Sequence, residues 1–219
     1  MKKDAEIQKN VIEELKTIPL LKANEIGVAV KNGVVTLSGT VDSYPKKIRV
    51  EKAVKKIGGV KGIAEDIAVN LSEKHQKTDS EIAQMVINAI EWHSAAQIDK
   101  INILVEDGCV TLDGTTDWDF QRKSASKVVE TIVGVKRITN NIKIAQRPAP
   151  TDIKTKIQAA FVRNARIDAD KINIQTDGNK VILSGKVNCW SELEEAEHSV
   201  WSTPGVSSIE NKLELEDDF

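Results

Sequence analysis

Residues 28–41 read VAVKNGVVTLSGTV, and apolar residues alternate with polar ones on both sides of Asn32-Gly33. An alternation with a period of two indicates a strand with one buried face, and Asn-Gly tolerates the positive φ of a tight turn. We therefore predict a β-hairpin in this stretch, with its second strand ending in Leu37-Ser38-Gly39.

The same pattern occurs three times along the chain. Residues 103–116 read ILVEDGCVTLDGTT and residues 173–187 read NIQTDGNKVILSGKV, each with its own Leu-x-Gly. The glycine of that motif stands at 39, 114 and 185, and a Gly-Val pair begins twenty residues after each one. A register kept three times predicts three copies of one structural unit. In the third copy we expect the turn at Asp177-Gly178 and one extra residue, in a β-bulge, before the second strand.

Each copy also contains two helical patterns. The first has apolar residues at i, i+4 and i+8, which lie on one face of a helix. Those residues are Ile7, Val11 and Leu15, then Ile82, Val86 and Ile90, then Ile153, Ile157 and Phe161. The second pattern follows the hairpin and buries residues such as Val50 and Val54. We expect short polar side chains to cap this second helix, at Asp42, Asp117 and Asn188.

These patterns predict an α+β protein of three tandem two-layer αββαβ domains, each with two helices on a three-stranded mixed sheet. We place the domains at residues 1–72, 77–146 and 150–219, because polar and proline-bearing stretches separate the copies. The chain has 219 residues but only eight aromatic ones, which suits three small aliphatic cores better than one large core.

Nine glycines recur at equivalent positions of the copies, and we assign them structural roles at turns and element junctions. They are Gly33, Gly39, Gly59, Gly108, Gly114, Gly134, Gly178, Gly185 and Gly205.

The composition narrows the function classes. No run of apolar residues approaches the roughly 20 that a membrane-spanning helix needs. The first ten residues, MKKDAEIQKN, lack the apolar core of an export signal, which favours the cytoplasm; a trimmed N-terminus would be compatible with the periplasm. We expect no nucleic-acid partner, because the net charge is −2 and the basic residues are not interleaved with aromatic ones.

Residues that could carry catalysis or bind a metal are scattered. The three histidines and two cysteines occupy non-equivalent positions without ligand spacing, and phosphate-loop and nucleophile-elbow motifs are absent from the sequence. We therefore expect no enzyme activity, no metal and no cofactor.

The hairpin motif, the capped helix and the Gly-Val pair together resemble the BON domain, in three tandem copies that cover nearly the whole chain. The resemblance implies a non-enzymatic module that binds lipid or a membrane surface, as in bacterial osmotically inducible and nodulation-related proteins. Another member, which pairs a BON domain with a LysM domain, is cytoplasmic and binds potassium. The resemblance thus also leaves open a cytosolic stress protein that senses a small cation or makes chaperone-like protein contacts.

The copies differ most in charge. Residues 1–72, 73–147 and 148–219 have net charges of +4, −1 and −5. On the second helix of the first copy, Arg49, Lys52 and Lys56 fall at i, i+3 and i+7 and form one outward stripe. We consider a solvated helix face, an anionic phospholipid surface as partner, and head-to-tail self-association of a basic first copy with an acidic third copy.

The tryptophans are the second asymmetric feature. Trp118 and Trp190 begin the second helices of the second and third copies. Trp201 occupies the position of Lys55 and Glu130 in the other copies, and we expect all three positions to face outward. Trp118, Trp190 and Trp201 are therefore candidates for lipid or partner contact, with packing against another domain as the alternative.

Overall fold

The structure is a computed structural model, and it describes residues 4–19, 21–22, 25–93, 100–145 and 152–216. The order helix, strand, strand, helix, strand occurs three times in these residues, which confirms the predicted α+β class. The first copy contains α1 (Asp4–Lys16), β1 (Ile26–Lys31), β2 (Val34–Val41), α2 (Tyr44–Lys55) and β3 (Gly62–Val69). The second contains α3 (Asp79–His93), β4 (Ile101–Glu106), β5 (Cys109–Thr116), α4 (Asp119–Val129) and β6 (Arg137–Ile144). The third contains α5 (Ile153–Arg163), β7 (Ile172–Asp177), β8 (Lys180–Val187), α6 (Trp190–Trp201) and β9 (Ser208–Leu215).

Each sheet has three strands with the hairpin's second strand in the centre. In the second and third copies the hairpin pairs are antiparallel, and β5–β6 and β8–β9 are parallel. A parallel partner needs a crossover, and the helix between the two strands supplies it. In these two copies the crossover helix packs on the second and third strands and also contacts the first helix, so both helices lie on one face of the sheet.

The three hairpins have the same register, which corrects one expectation. Ile26 pairs with Gly39, Ile101 with Gly114 and Ile172 with Gly185. The third ladder continues unbroken to Asp177 and Lys180, so its two turn residues are Gly178 and Asn179. The predicted turn at Asp177-Gly178 and the predicted bulge are therefore wrong. All three turns have two residues, and glycine is the first of them in the third hairpin but the second in the other two.

The glycine of the Leu-x-Gly motif allows a close approach of two backbone segments. Gly39 has a φ of +144°, and a Cβ on it would lie 2.0 Å from the carbonyl oxygen of Glu25. Gly114 and Gly185 have the same relationship to Lys100 and Lys171, at 2.0 and 2.1 Å. A side chain at this position would displace the start of the first strand, which explains why all three copies have glycine there. All nine glycines named from the sequence have a positive φ.

The predicted helix caps are one residue away from the observed ones. The N-cap residues of α4 and α6 are Trp118 and Cys189, not Asp117 and Asn188. The free N–H groups at these ends are instead bonded by side chains from the first turn. Gln121 Oε1 accepts from the N–H groups of Asp117 and Trp118, and Glu192 Oε2 accepts from that of Asn188. In the first copy, α2 begins at Tyr44 and the carboxylate of Asp42 pairs with Lys46 at 2.9 Å.

The cores lie between the helices and the sheets, as the helical periodicity predicts. The apolar residues at i, i+4 and i+8 are buried in all three first helices. In the third copy they join Val181, Leu183, Ala196 and Val200 in one cluster. Aliphatic side chains supply nearly all of this buried surface, and Phe161 is the large aromatic exception.

The chain forms two compact units, which do not follow the boundaries of the copies. One unit contains residues 1–39, 49–67 and 146–219, and the other contains residues 40–48 and 68–145. In the second unit, Tyr44 and Ile48 from α2 and Val69 from β3 pack with the apolar cluster of the second copy. Among the described residues, none of the helices is both long enough and apolar enough to cross a bilayer.

Candidate binding surface

The stripe predicted on α2 lies on the surface. Arg49, Lys52 and Lys56 are all exposed, because the opposite side of the helix buries Val50 and Val54. Within the described part of the chain, Arg49 and Lys52 have no ion-pair partner. Lys56, which was predicted on the helix, directly follows the last residue of α2, and its Nζ lies 3.8 Å from the carboxylate of Glu14 on α1, with the two side chains 61% and 33% exposed. The stripe therefore presents positive charge that the protein itself largely leaves unneutralised.

The same three positions have different chemistry in the other copies. They are Ser124, Lys127 and Thr131 in the second copy and Glu195, His198 and Ser202 in the third. In the third copy these residues help to line a groove of about 440 Å³ between α5 and α6. Glu195 accepts a hydrogen bond from the side chain of Asn164 at 2.9 Å there.

Basic residues of the third copy, in contrast to the stripe, are mostly paired. Lys171 Nζ lies 2.6 Å from Glu216, and Lys180 and Lys212 lie 2.6 and 2.8 Å from the two oxygens of Glu210. Hydrogen bonds from Lys180 and Lys212 lower the pKa of Glu210 to about 2. The hydrogen bond between Lys171 and Glu216 raises the pKa of Lys171 and lowers that of Glu216. These pairs reduce the charge that the third copy can offer to a ligand.

The opposite flank of α2 makes a different contact. Lys55 Nζ lies 2.7 Å from Glu51 on the same helix and 2.5 Å from Glu194 on α6 of the third copy. The Lys55 side chain is only 22% exposed. Burial lowers the pKa of its ammonium group, but the hydrogen bonds to Glu194 and Glu51 outweigh burial and the pKa is raised. The first and third copies, whose contacting residues belong to one compact unit, are thus joined by an ion pair.

Trp190 lies at this contact. With Glu51, Lys55, Ile63 and Glu65 it lines a cleft of about 190 Å³. The indole N–H of Trp190 is buried and has no acceptor among the described residues. A buried donor without an acceptor costs free energy, so packing of the indole ring must offset this cost.

The other candidate tryptophans are half-buried. Trp201 packs on the apolar cluster of its own copy. The sequence predicts that it faces outward, toward another domain, a partner or lipid, and that position is wrong. Lys55, at the equivalent position of the first copy, is largely covered as well. Trp118 is half-buried at the start of α4. Trp92, at the end of α3, is 83% exposed and was not singled out as a candidate.

Two groups of contacts are not predicted by the sequence patterns. One is the set of aspartates that begin α1 and α3 and bond the hairpin turns. The other is the Lys55–Glu194 pair, whose members are 139 residues apart. The opposite charges of the first and third copies were the available signal for the second group.

Groups suited to catalysis are not brought together in the described residues. Clusters of three or more His, Cys, Asp or Glu side chains with metal-binding geometry are not found there. Cys109 and Cys189 are free and half-buried.

The fold and this surface define a tandem-repeat α+β protein whose copies share a scaffold and differ in surface charge. The model of the BON domain family matches residues 3–70, 78–146 and 150–217. The chain belongs to the BON domain family, which confirms the resemblance drawn from its motifs.

Two curated proteins and one solved structure give the comparison more detail. Osmotically-inducible protein Y of Escherichia coli K12 is 29% identical over 136 residues, which are 56% of this chain and 63% of that protein. An uncharacterized protein of Anaplasma centrale is 27% identical over 124 residues, 55% of this chain and 82% of that protein. The structure of CdsD, a type III secretion protein of Chlamydia trachomatis, aligns with 12% identity and a TM-score of 0.27, covering 95% of this chain and 91% of that one. The chain spans less than two thirds of the length of the first relative.

Proposed function

We propose that this protein is a non-catalytic binding module that attaches reversibly to anionic phospholipid surfaces through Arg49, Lys52 and Lys56. The observation that carries the proposal is the exposure of these three side chains together with the absence of a described ion-pair partner for Arg49 and Lys52. Basic side chains without an ion-pair partner retain their charge for an external anion, whereas the paired lysines of the third copy do not.

The expected strength of this attachment follows from the number of charges. A basic residue near an anionic membrane contributes about 1 kcal/mol, so three residues contribute about 3 kcal/mol. Binding of this size is reversible, and salt weakens it because the Debye length falls to about 8 Å at physiological ionic strength.

Inserted apolar groups would strengthen attachment. Trp118, Trp190 and Trp201 stay the proposed auxiliary contacts. Because these three side chains are half-buried, we assign the main part of binding to the basic stripe.

The relative from Escherichia coli is named for induction by osmotic stress. We propose a role in osmotic or envelope stress for this chain as well, in which it acts by binding rather than by chemistry. A reversible electrostatic contact suits such a role, because the ionic strength around the protein then sets the fraction of molecules that are bound.

Co-sedimentation with vesicles tests the proposal. The wild-type chain is mixed at low salt with vesicles of phosphatidylcholine alone or of phosphatidylcholine with phosphatidylglycerol. We expect pelleting with the anionic vesicles alone, and we expect the variant Arg49→Glu/Lys52→Glu to stay in the supernatant. A wild-type chain that does not pellet with anionic vesicles, or a variant that pellets as well as the wild type, would contradict the proposal.

A further inference from the structure

The contact between Lys55 and Glu194 has the properties of a recognition surface, independently of any lipid. We infer that the α2 flank around Lys55 and the α6 face around Glu194 are complementary docking surfaces, and that they join two copies of this chain as well as closing within one. The α2 flank therefore binds the α6 face, either within the same chain or on a second copy of the chain.

The charges of the two helices are complementary. The α2 helix as a whole contains five basic residues and one acidic residue, of which Lys55 and Glu51 lie at the contact, and α6 contains four glutamates and no lysine or arginine. Like charges face each other if two α2 helices or two α6 helices meet, which disfavours those pairings. The charge pattern thus selects the pairing of a first copy with a third copy.

The contact is specific in its geometry. Lys55 is held between two carboxylates at 2.5 and 2.7 Å, and the Glu194 side chain is 47% exposed. Trp190 lies beside this ion pair and forms one wall of the cleft at the same place. Tryptophan is enriched at the centres of protein interfaces, and a charge pair beside it adds specificity for the partner.

The two surfaces are different, so the contact is heterologous. A heterologous contact made within one chain leaves the same two surfaces available for a neighbour whenever it opens. Within one chain the effective concentration of the partner surface is of the order of millimolar, so the closed form dominates in dilute solution. Breaking the contact within each chain should therefore unmask the contact between chains.

A charge-swap mixture tests this inference with the full-length protein. Lys55→Glu and Glu194→Lys are prepared separately, and each variant then places like charges at its own contact. In a mixture, the Lys55 that one variant retains meets the Glu194 that the other retains. The two introduced side chains also have opposite charges and meet at the second contact between the same two chains. We expect each variant alone to sediment as the 24.1 kDa monomer and the mixture to form a dimer.

Cross-linking identifies the contact within that dimer. A zero-length carbodiimide cross-link between Lys55 and Glu194 in the mixture joins two chains by necessity, because each variant has only one of these residues.

A matched mixture controls for unspecific charge effects. Lys9→Glu and Glu13→Lys make the same changes in an exposed pair within α1, where Lys9 and Glu13 are 3.9 Å apart. This mixture should stay monomeric, and the double variant Lys55→Glu/Glu194→Lys should close within one chain and stay monomeric too. Circular dichroism establishes that every variant is folded. The inference is overturned if the mixture of Lys55→Glu and Glu194→Lys forms no dimer. It is also overturned if the mixture of Lys9→Glu and Glu13→Lys forms as much dimer as the first mixture.

Discussion

The carboxylate of Asp79 accepts a hydrogen bond from the backbone N–H of Gly108, with 2.8 Å between oxygen and nitrogen. Its second oxygen accepts from the N–H of Asp107 at 2.9 Å, so one side chain at the start of α3 binds both residues of the hairpin turn. Asp4 makes the same pair of bonds with Asn32 and Gly33, at 2.8 and 3.0 Å. In each of the first two copies the first helix thus fixes the turn of the hairpin on which it packs.

Replacing Asp79 by Asn should therefore lower stability. The substitution keeps the size of the side chain but removes the charge and one acceptor, and we expect the free energy of unfolding to fall by about 1 kcal/mol. Urea denaturation followed by circular dichroism measures the change. Asp152→Asn is the matched control, because Asp152 precedes α5 and pairs with Lys156 on the surface at 3.0 Å. Equal losses from the two substitutions would contradict the role given to Asp79.

Two glycines of the third hairpin should respond differently to alanine. A Cβ on Gly185 would lie 2.1 Å from the carbonyl oxygen of Lys171, whereas one on Gly178 meets no atom within 4 Å. We expect Gly185→Ala to cost about 3 kcal/mol or more through the backbone clash, and Gly178→Ala to cost about 1 kcal/mol through its positive φ alone. Thermal unfolding of both variants checks the order. A Gly178→Ala variant that melts at or below the temperature of Gly185→Ala would refute this account of the motif.

The cluster around Glu210 predicts a pH dependence. Because hydrogen bonds from Lys180 and Lys212 lower the pKa of Glu210 from 4.5 to about 2, the folded state favours the ionised carboxylate. The corresponding stabilisation is present above pH 4.5 and is lost as the pH falls from 4.5 toward 2. Carboxyl NMR titration should give a midpoint near 2 in the wild type. In the double variant Lys180→Met/Lys212→Met it should return to about 4.5, and an unchanged midpoint would exclude the two lysines as the cause.

Local patterns in the sequence were enough to predict the elements and the core. Two such patterns are the alternation around Asn32-Gly33 and the spacing of residues such as Ile82 and Val86. Each depends only on neighbours within one strand or helix, so it can be recognised before the tertiary structure is known. The predicted positions of the helix caps are wrong by one residue, because the local pattern does not fix which residue is the cap. A short polar residue can sit before or at the cap, and the sequence does not say that Gln121 and Glu192 reach back to bond the free N–H groups.

Contacts between distant residues could not be predicted in this way. Asp79 and Gly108 are 29 residues apart, and Lys55 and Glu194 are 139 residues apart. The net charges of the copies pointed to an attraction between the first and third, but not to Lys55 or to Trp190 as its members. The outward position predicted for Trp201 is wrong. It follows from the charged residues at the same position in the other copies, whereas the large ring of Trp201 covers part of the third core.

The proposal that the stripe on α2 binds anionic lipid is tested most directly by flotation of two triple variants with vesicles that contain phosphatidylglycerol. Arg49→Glu/Lys52→Glu/Lys56→Glu reverses the stripe, and Lys154→Glu/Lys156→Glu/Arg163→Glu makes the same change in net charge on α5. We predict that the first variant loses flotation at low salt while the second still floats with the wild type. Equal flotation of both variants, whether retained or lost, would contradict a site on α2.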